Sequence, residues 1–535
     1  MNKCPVIAVV LNLHLPFVHH PDPPWSLEER PFFEALSETY LPLLEVLDRL
    51  DADHIPFRIA LSLSPPLCHM LSDELLLKRY VDFTDRQIEF GLREIKRTAG
   101  EPRVQKLSRL FYDKLVDRRI LFAERYEGNI LKIFDLYQKK GKVELLTTAA
   151  TYGFLPFYTA YTEAVQAQLE VAAASHRRFF SINPQGFWLP ELGWKDELDE
   201  QLRSYGFSYT IIDTHGLLLG APPPARGSFF PAKTPSGVLL LSRDHYAARD
   251  LAEPGVGFPW DPRYQDCRED VGYELPAEAL KPFLGPGGVR TRTGFRYRIQ
   301  GDPRTRGAVP NPPYDPESAA AAAREHARIF LENRISRFKR AAEYMDEPPI
   351  SLCAYDADAF GRRWYEGPLF IEALFREGVR KGGIQFMNPV EYLYKHPPHA
   401  YTTVIPEFSS WGFSGYAEMW LNAANDWIYR HVIRSLERMI ELAERFADDT
   451  GLKERALNQA AREILLAQAS DWAKMLYKGE SPEYARSQIE GALRNFTTIY
   501  ESLGSNYIST EWLTNLERQH NIFPHINYRV FRRKR

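Results

Sequence analysis

What most constrains this chain is an alternation. Short, nearly continuous apolar runs are separated by stretches of helical period through about the first 400 residues. Strands are expected at residues 6–13, 58–63, 143–148, 186–190, 209–213, 238–242, 350–355 and 385–388, with helices such as 33–49 and 129–139 between them. Strands without polar alternation are buried on both faces, so the pattern describes a parallel sheet covered by helices. Seven or eight such units favour a barrel over an open sheet. This reading places His14, Glu191, Asp213, Asp244 and Asp356 at the C-terminal ends of strands. That is the face of a (β/α) barrel on which the loops converge and active sites are built.

Two segments break the alternation. Residues 72–126 are charged, helix-rich and too long for a barrel loop, so an inserted helical subdomain is expected there. Residues 220–237 and 252–286 are rich in proline and glycine and read as long loops near the active face. Asp315-Pro316-Glu317, a cap followed by proline, opens a long helix. After about Tyr416 only helical period remains, over residues 417–447, 452–477 and 482–503. The expected organisation is a barrel over residues 1–400 with its insertion at about 72–126, followed by an all-helical C-terminal domain over 401–535.

Composition narrows the function classes. A net charge of −3 over 535 residues gives no basic footprint for nucleic acid or a membrane surface. Four widely separated cysteines form neither a disulfide framework nor a zinc pattern, so no metal or other cofactor is expected. No apolar stretch is long enough to span a bilayer, and the first apolar run is too short and wrongly flanked for a signal peptide; a cytoplasmic protein is expected. Aromatic residues reach 13% of the chain. Most must fill a core, but aromatic faces also stack on the apolar faces of sugar rings.

Two carboxylates carry the chemistry. Glu191 follows a short strand and lies between Trp188 and Trp194 in Phe187-Trp188-Leu189-Pro190-Glu191-Leu192-Gly193-Trp194. Asp356 ends the strand that closes on Tyr355. Cleaving or transferring a glycosyl group needs two carboxyls facing across the scissile bond, about 5–5.5 Å apart when one is a nucleophile. Two strand ends on one barrel rim can supply that separation. Asp358 reads equally well as an ordinary loop acid.

At these residues the chain resembles glycoside hydrolase family 57, and within it the 1,4-α-glucan branching enzymes. Leu13-His14-Leu15-Pro16 through Pro21 resembles the first family motif, and residues 144–156 resemble the second. Trp188-Leu189-Pro190-Glu191 resembles the third, and Tyr355-Asp356-Ala357-Asp358-Ala359-Phe360-Gly361 the fourth. Trp411-Gly412 with Trp420-Leu421-Asn422 resembles the fifth, and Ser470-Asp471-Trp472 a motif of the helical domain that reaches back to the cleft. The resemblance implies an incomplete (β/α)7 barrel with an inserted helical region and a C-terminal helical domain. It implies a retaining mechanism with Glu191 as nucleophile and Asp356 as general acid/base, acting on an α-1,4-glucan. Trp411 and Trp420 would exclude water and stack the acceptor, with Trp25 in the first loop as another candidate. Either Trp could instead cement the barrel to the helical domain. Asn12, His14, Tyr152, Trp188, Asp358, Arg362 and Asp471 complete the expected sugar-binding set.

The chain departs from the family pattern at three histidines, where it carries Asn12, Tyr152 and Arg362. Asn12 can still exchange hydrogen bonds with sugar hydroxyls. Tyr152 adds bulk, and an arginine at 362 is expected to favour the ionised form of Asp356. The readings that follow are α-1,4-glucan branching, a sister activity (4-α-glucanotransferase or α-amylase), or a glucan-binding homologue impaired in turnover. A metal-dependent deacetylase would need an Asp with two histidines at ligand spacing, and the sequence offers no such set.

Overall fold

In a computed structural model of the chain, residues 4–22, 26–301 and 311–534 are described. Nine strands lie among the described residues: β1 (Val6–Leu13), β2 (Ile59–Leu63), β3 (Val143–Thr148), β4 (Gly186–Trp188), β5 (Tyr209–Ile212), β6 (Ala232–Lys233), β7 (Leu239–Ser242), β8 (Ile350–Asp356) and β9 (Gln385–Phe386). Their order is β6-β7-β5-β4-β3-β2-β1-β8, with β9 also paired to β1. Every pairing is parallel except that of β6 with β7.

Arg243, directly after β7, bridges Leu352 of β8, and the Asp244 N–H donates to the Leu352 carbonyl at 2.8 Å. The sheet therefore curls back on itself, closed at the seam by one short contact. This is the incomplete (β/α)7 barrel. β1 lies between β2 and β8 with all eight residues buried, which is why its sequence shows no polar alternation. Register aligns the strand ends: Asn12 of β1 lies opposite Asp356 of β8, and Thr148 of β3 opposite Trp188 of β4.

The helices Glu74–Arg97 and Pro102–Ile120 make up most of the inserted region. Helix Pro316–Ala341 opens as its sequence suggests, the Asp315 carboxylate accepting from the backbone N–H groups of Glu317 and Ser318. The expected helix over 33–49 starts earlier, at Arg30–Ala35, and continues as Leu41–Ala52 after one wider turn. Pro42 accounts for that turn, because it has no N–H to give to the Glu38 carbonyl one turn back.

Other boundaries differ from expectation for local reasons. β4 stops at Trp188, since the chain turns over at Leu189-Pro190. β9 stops at Phe386, because Asn388-Pro389 opens a new helix, Pro389–Tyr394. The expected helix over 417–447 begins only at Trp427. Residues 417–426 are held instead in turns by Asn425, whose side chain accepts from the Asn422 N–H and donates to the Met419 and Ala473 carbonyls. The expected helix over 452–477 is two helices, Leu452–Ala467 and Ser470–Lys478. At the break Ala469 bridges Gly153, and the Ser470 N–H donates to the Tyr152 carbonyl at 3.2 Å. Helices Pro482–Ser505 and Thr510–Gln519 follow, the second of them not anticipated, and a short turn at Tyr528–Phe531 comes last. No helix among the described residues is long and apolar enough to cross a membrane.

Candidate active site

The strand ends and the helix Ser470–Lys478 enclose a cleft with two lobes. One, of about 480 Å³, is lined by Asn12, His14, Tyr152, Asp358, Arg362 and Asp471 among others. The second, of about 360 Å³, is lined by Glu191, Arg243, Trp411 and Trp420. Asp356 and Lys474 line both lobes, so the two candidate carboxylates face a shared space.

Glu191 is held by unusual backbone. It and Leu192 both have left-handed conformations, with φ of 57° and 51°. For residues with a Cβ this costs about 1–2 kcal/mol each, and such strain persists where surrounding structure imposes it. Here the imposing contacts are visible. Pro190 fixes the entry, the Leu192 N–H returns to the Leu189 carbonyl at 2.9 Å, and the Trp411 N–H takes the Glu191 carbonyl at 2.9 Å. Gly193 follows because a Cβ there would stand 2.5 Å from the Phe154 ring.

The Glu191 side chain is almost completely buried. Its carboxylate accepts from the Trp411 indole N–H and from Lys474 Nζ, at 3.3 and 3.4 Å to its two oxygens. Burial pushes the carboxyl above the usual carboxylate range; Lys474 and the Trp411 indole oppose that push, and Asp356 adds to it. Trp411 is in turn placed by Trp188, edge-to-face at 5.5 Å, and by the Arg243 guanidinium, 5.2 Å from its ring.

Asp356 accepts from Asn12 Nδ2 at 3.0 Å, the contact that the β1–β8 register dictates. The second Asn12 amide hydrogen goes to the Tyr152 hydroxyl oxygen at 2.9 Å, which also accepts from the Trp188 indole N–H at 3.2 Å. Tyr152 stacks on His14 with centroids 3.6 Å apart. His14 Nε2 donates to Asp471, 3.0 Å from either oxygen, leaving Nδ1 to pair with the Ser64 hydroxyl at 2.9 Å. Burial holds the Tyr152 hydroxyl far above its ordinary pKa, with Glu191 and Asp356 adding to the effect, so it stays neutral. Asn12 and Tyr152 therefore form one continuous, bulky layer with His14 and Trp188, in which both Asn12 amide hydrogens are bonded and its Oδ1 is left without a partner.

Arg362 lines the first lobe, but its ion pairs are with Glu34 and Asp358 and not with Asp356. Its guanidinium is committed to Glu34 at 3.3 Å and Asp358 at 3.5 Å, while Arg363 takes Asp358 at 3.0 Å. Asp356 receives its hydrogen bond from Asn12 and not from this cluster. Gly361 is set by close approach: at φ 134° a Cβ would lie 1.9 Å from the Glu38 carbonyl oxygen.

Two of the strand-end acids are helix caps. Asp213 accepts from the Thr214 N–H and pairs with Arg243. Asp244 accepts from the Tyr246 and Ala247 N–H groups and from the Ser351 hydroxyl. The desolvation cost of burying them is thus offset by structure. Trp420 is buried, stacked on Phe154 at 5.3 Å and 6°, and also lines the second lobe, so it both packs and borders the cleft. Trp25 lies outside the described residues. Lys474 was absent from the sequence-derived set, although its position three residues after Asp471 puts both on one helix face. Among the described residues no group of three or more His, Cys, Asp or Glu is arranged to hold a metal ion.

A model of glycosyl hydrolase family 57 matches residues 8–405, about three quarters of the chain. The chain belongs to glycosyl hydrolase family 57. A second family model, for the C-terminal part of 1,4-alpha-glucan branching enzymes, matches residues 431–531. A 1,4-alpha-glucan branching enzyme of Thermococcus kodakarensis is 25% identical over 93% of this chain and 73% of its own. A probable 1,4-alpha-glucan branching enzyme of Mycobacterium tuberculosis is 25% identical over 90% and 89%. Among solved structures, the alpha-amylase AmyC of Thermotoga maritima superposes with a TM-score of 0.93 at 34% identity, covering 99% of this chain and 100% of that one. The family 57 branching enzyme of Pyrococcus horikoshii superposes with a TM-score of 0.87 at 24% identity over 99% and 97%. That second likeness is one of fold.

Proposed function

We propose that this family 57 chain is a 1,4-α-glucan branching enzyme, cleaving an α-1,4 bond with retention and passing the chain to a 6-hydroxyl. Glu191 serves as nucleophile and Asp356 as acid/base. The observation that carries the reading is the Glu191 carboxylate, almost completely buried and aimed by Trp411 and Lys474 into a cleft that it shares with Asp356. Glu191 attacks the anomeric carbon as the bond to O4 breaks, and Asp356 gives its proton to O4. Asp356 then takes the proton of the acceptor 6-hydroxyl, whose oxygen displaces Glu191. Transfer to sugar instead of water requires a dry second half-reaction. The indoles of Trp411 and Trp420 beside Glu191 suit that need. The His14–Tyr152 stack, Asp471 and the Asp358–Arg362 cluster bind the glucan in the other lobe. The substrate is an α-1,4-glucan, and the setting we assign is cytoplasmic.

One observation favours hydrolysis as a second reading: the 34% identity over the full length of a chain named an alpha-amylase. Incubation with amylose decides between them. Branching predicts a falling iodine stain, a growing α-1,6 anomeric proton signal and few new reducing ends. Hydrolysis predicts reducing ends in step with the stain loss and no α-1,6 signal, and a 4-α-glucanotransferase predicts redistributed linear chains. An unchanged stain from protein that still binds amylose would sink the enzymatic reading.

A further inference from the structure

We infer that Lys474 is a positioning residue that keeps Glu191 ionised and oriented for attack. Its ammonium straddles both Glu191 oxygens. The helix that carries it is fastened to the barrel: the Ser470 N–H donates to the Tyr152 carbonyl, Ala469 bridges Gly153, and the Asn425 side chain donates to the Ala473 carbonyl. About a quarter of the Lys474 side chain is exposed, whereas that of Glu191 is 1% exposed.

The physical need is direct. A carboxyl without solvent is driven towards its neutral acid, which is a poor nucleophile. Glu191 faces Asp356 from β8 and Asp471 from the Lys474 helix, both of which push the same way. The other cations around the lobe are engaged elsewhere. Arg243 pairs with Asp213, Arg363 with Asp358, and Lys478 lies 3.9 Å from Glu480. His14 is turned to Asp471. Among the described residues, Lys474 is the cation in contact with Glu191. Burial weakens its charge, but Glu191, Asp356 and Asp471 more than offset this and hold the ammonium above the ordinary lysine value.

The inference rests on Glu191 as nucleophile and can be tested without glucan turnover. 5-Fluoro-α-D-glucosyl fluoride is a suitable probe: the nucleophile displaces fluoride from C1 and remains as a slowly hydrolysed ester, seen by intact and peptide mass spectrometry. Labelling rates against pH are compared for wild type, Lys474→Met and Lys474→Arg, with melting curves for each and Lys474→Gln in reserve if the methionine variant does not fold. The acid limb of Glu191 labelling is expected to move alkaline by about 1–3 pH units in Lys474→Met and to return in Lys474→Arg. Labelling of Glu191 with the same midpoint in all variants overturns the inference and leaves the nucleophile standing. A label on another residue, or none at any pH in the wild type, removes Glu191 as nucleophile and the inference with it. If Glu191 is labelled with the shifted midpoint while amylose is untouched, the Lys474 inference holds and only the glucan assignment falls.

Discussion

Two parts of the cleft replace the histidines of the family pattern, and they do so by opposite means. Around Asn12 and Tyr152 the replacement is a buried, mostly neutral layer. The tyrosine stacks on His14, and its hydroxyl accepts from both Asn12 and Trp188. Around Arg362 it is a partly exposed ion cluster with Glu34, Asp358 and Arg363. Burial makes the difference. A satisfied hydrogen bond in the first region cannot be replaced by water, whereas a broken ion pair in the second can be rehydrated. Tyr152 should therefore be costly to change and Arg362 cheap, although both depart from the same family motif set.

The largest expected effect sets the scale for both regions. Glu191→Gln keeps the shape of the nucleophile and removes its charge, and activity on amylose should fall by about 10³-fold or more. A smaller loss in the iodine-stain assay would take Glu191 out of the reaction. Next comes Tyr152→Phe, which strands the Trp188 indole N–H and one Asn12 amide hydrogen in a buried site. It should cost about 2 kcal/mol in denaturant unfolding. A cost near zero would erase the contrast between the regions.

A third buried group extends the comparison. Glu144 of β3 accepts from the Tyr209 hydroxyl and the Val390 N–H, and burial pushes its carboxyl up to about 7. The folded state then holds this proton more tightly than the unfolded chain. Its contribution to stability is present below the ordinary value of 4.5 and is lost as pH rises to about 7. Glu144→Gln should flatten that part of the pH dependence of melting, an effect of up to about 3 kcal/mol. An equal slope in both proteins would show that Glu144 titrates normally.

The smallest effect belongs to the ion cluster. Arg362→Gln should change unfolding by under about 1 kcal/mol. The double variant Tyr152→His, Arg362→His sharpens the contrast in function. Its change in branching rate should follow the Tyr152 site alone, as read from the two single variants measured beside it.

The strand pattern was legible because each barrel strand is buried on both faces, which writes a continuous apolar run into the chain. β1 and β3 matched their expected bounds residue for residue. The motif order likewise marked both candidate carboxylates, because Asp356 closes β8 and Glu191 stands three residues past the end of β4. Helix breaks were less legible, since they depend on partners far along the chain. Nothing near Ala469 announces a break, which is made by Gly153 and the Tyr152 carbonyl. The turns at 417–426 depend on where Asn425 can reach the Ala473 carbonyl.

What the sequence determined by itself was therefore what local burial and strand period encode: a barrel, its active face, and the two acids set on that face. Tertiary structure alone decided which acids were available. It spent Asp213 and Asp244 on helix caps, turned Arg362 towards Glu34, and brought Lys474 onto Glu191 across most of the chain's length. The physical reason is that a charge is defined by its partners, and the partners of a buried charge come from whichever elements the fold packs against it.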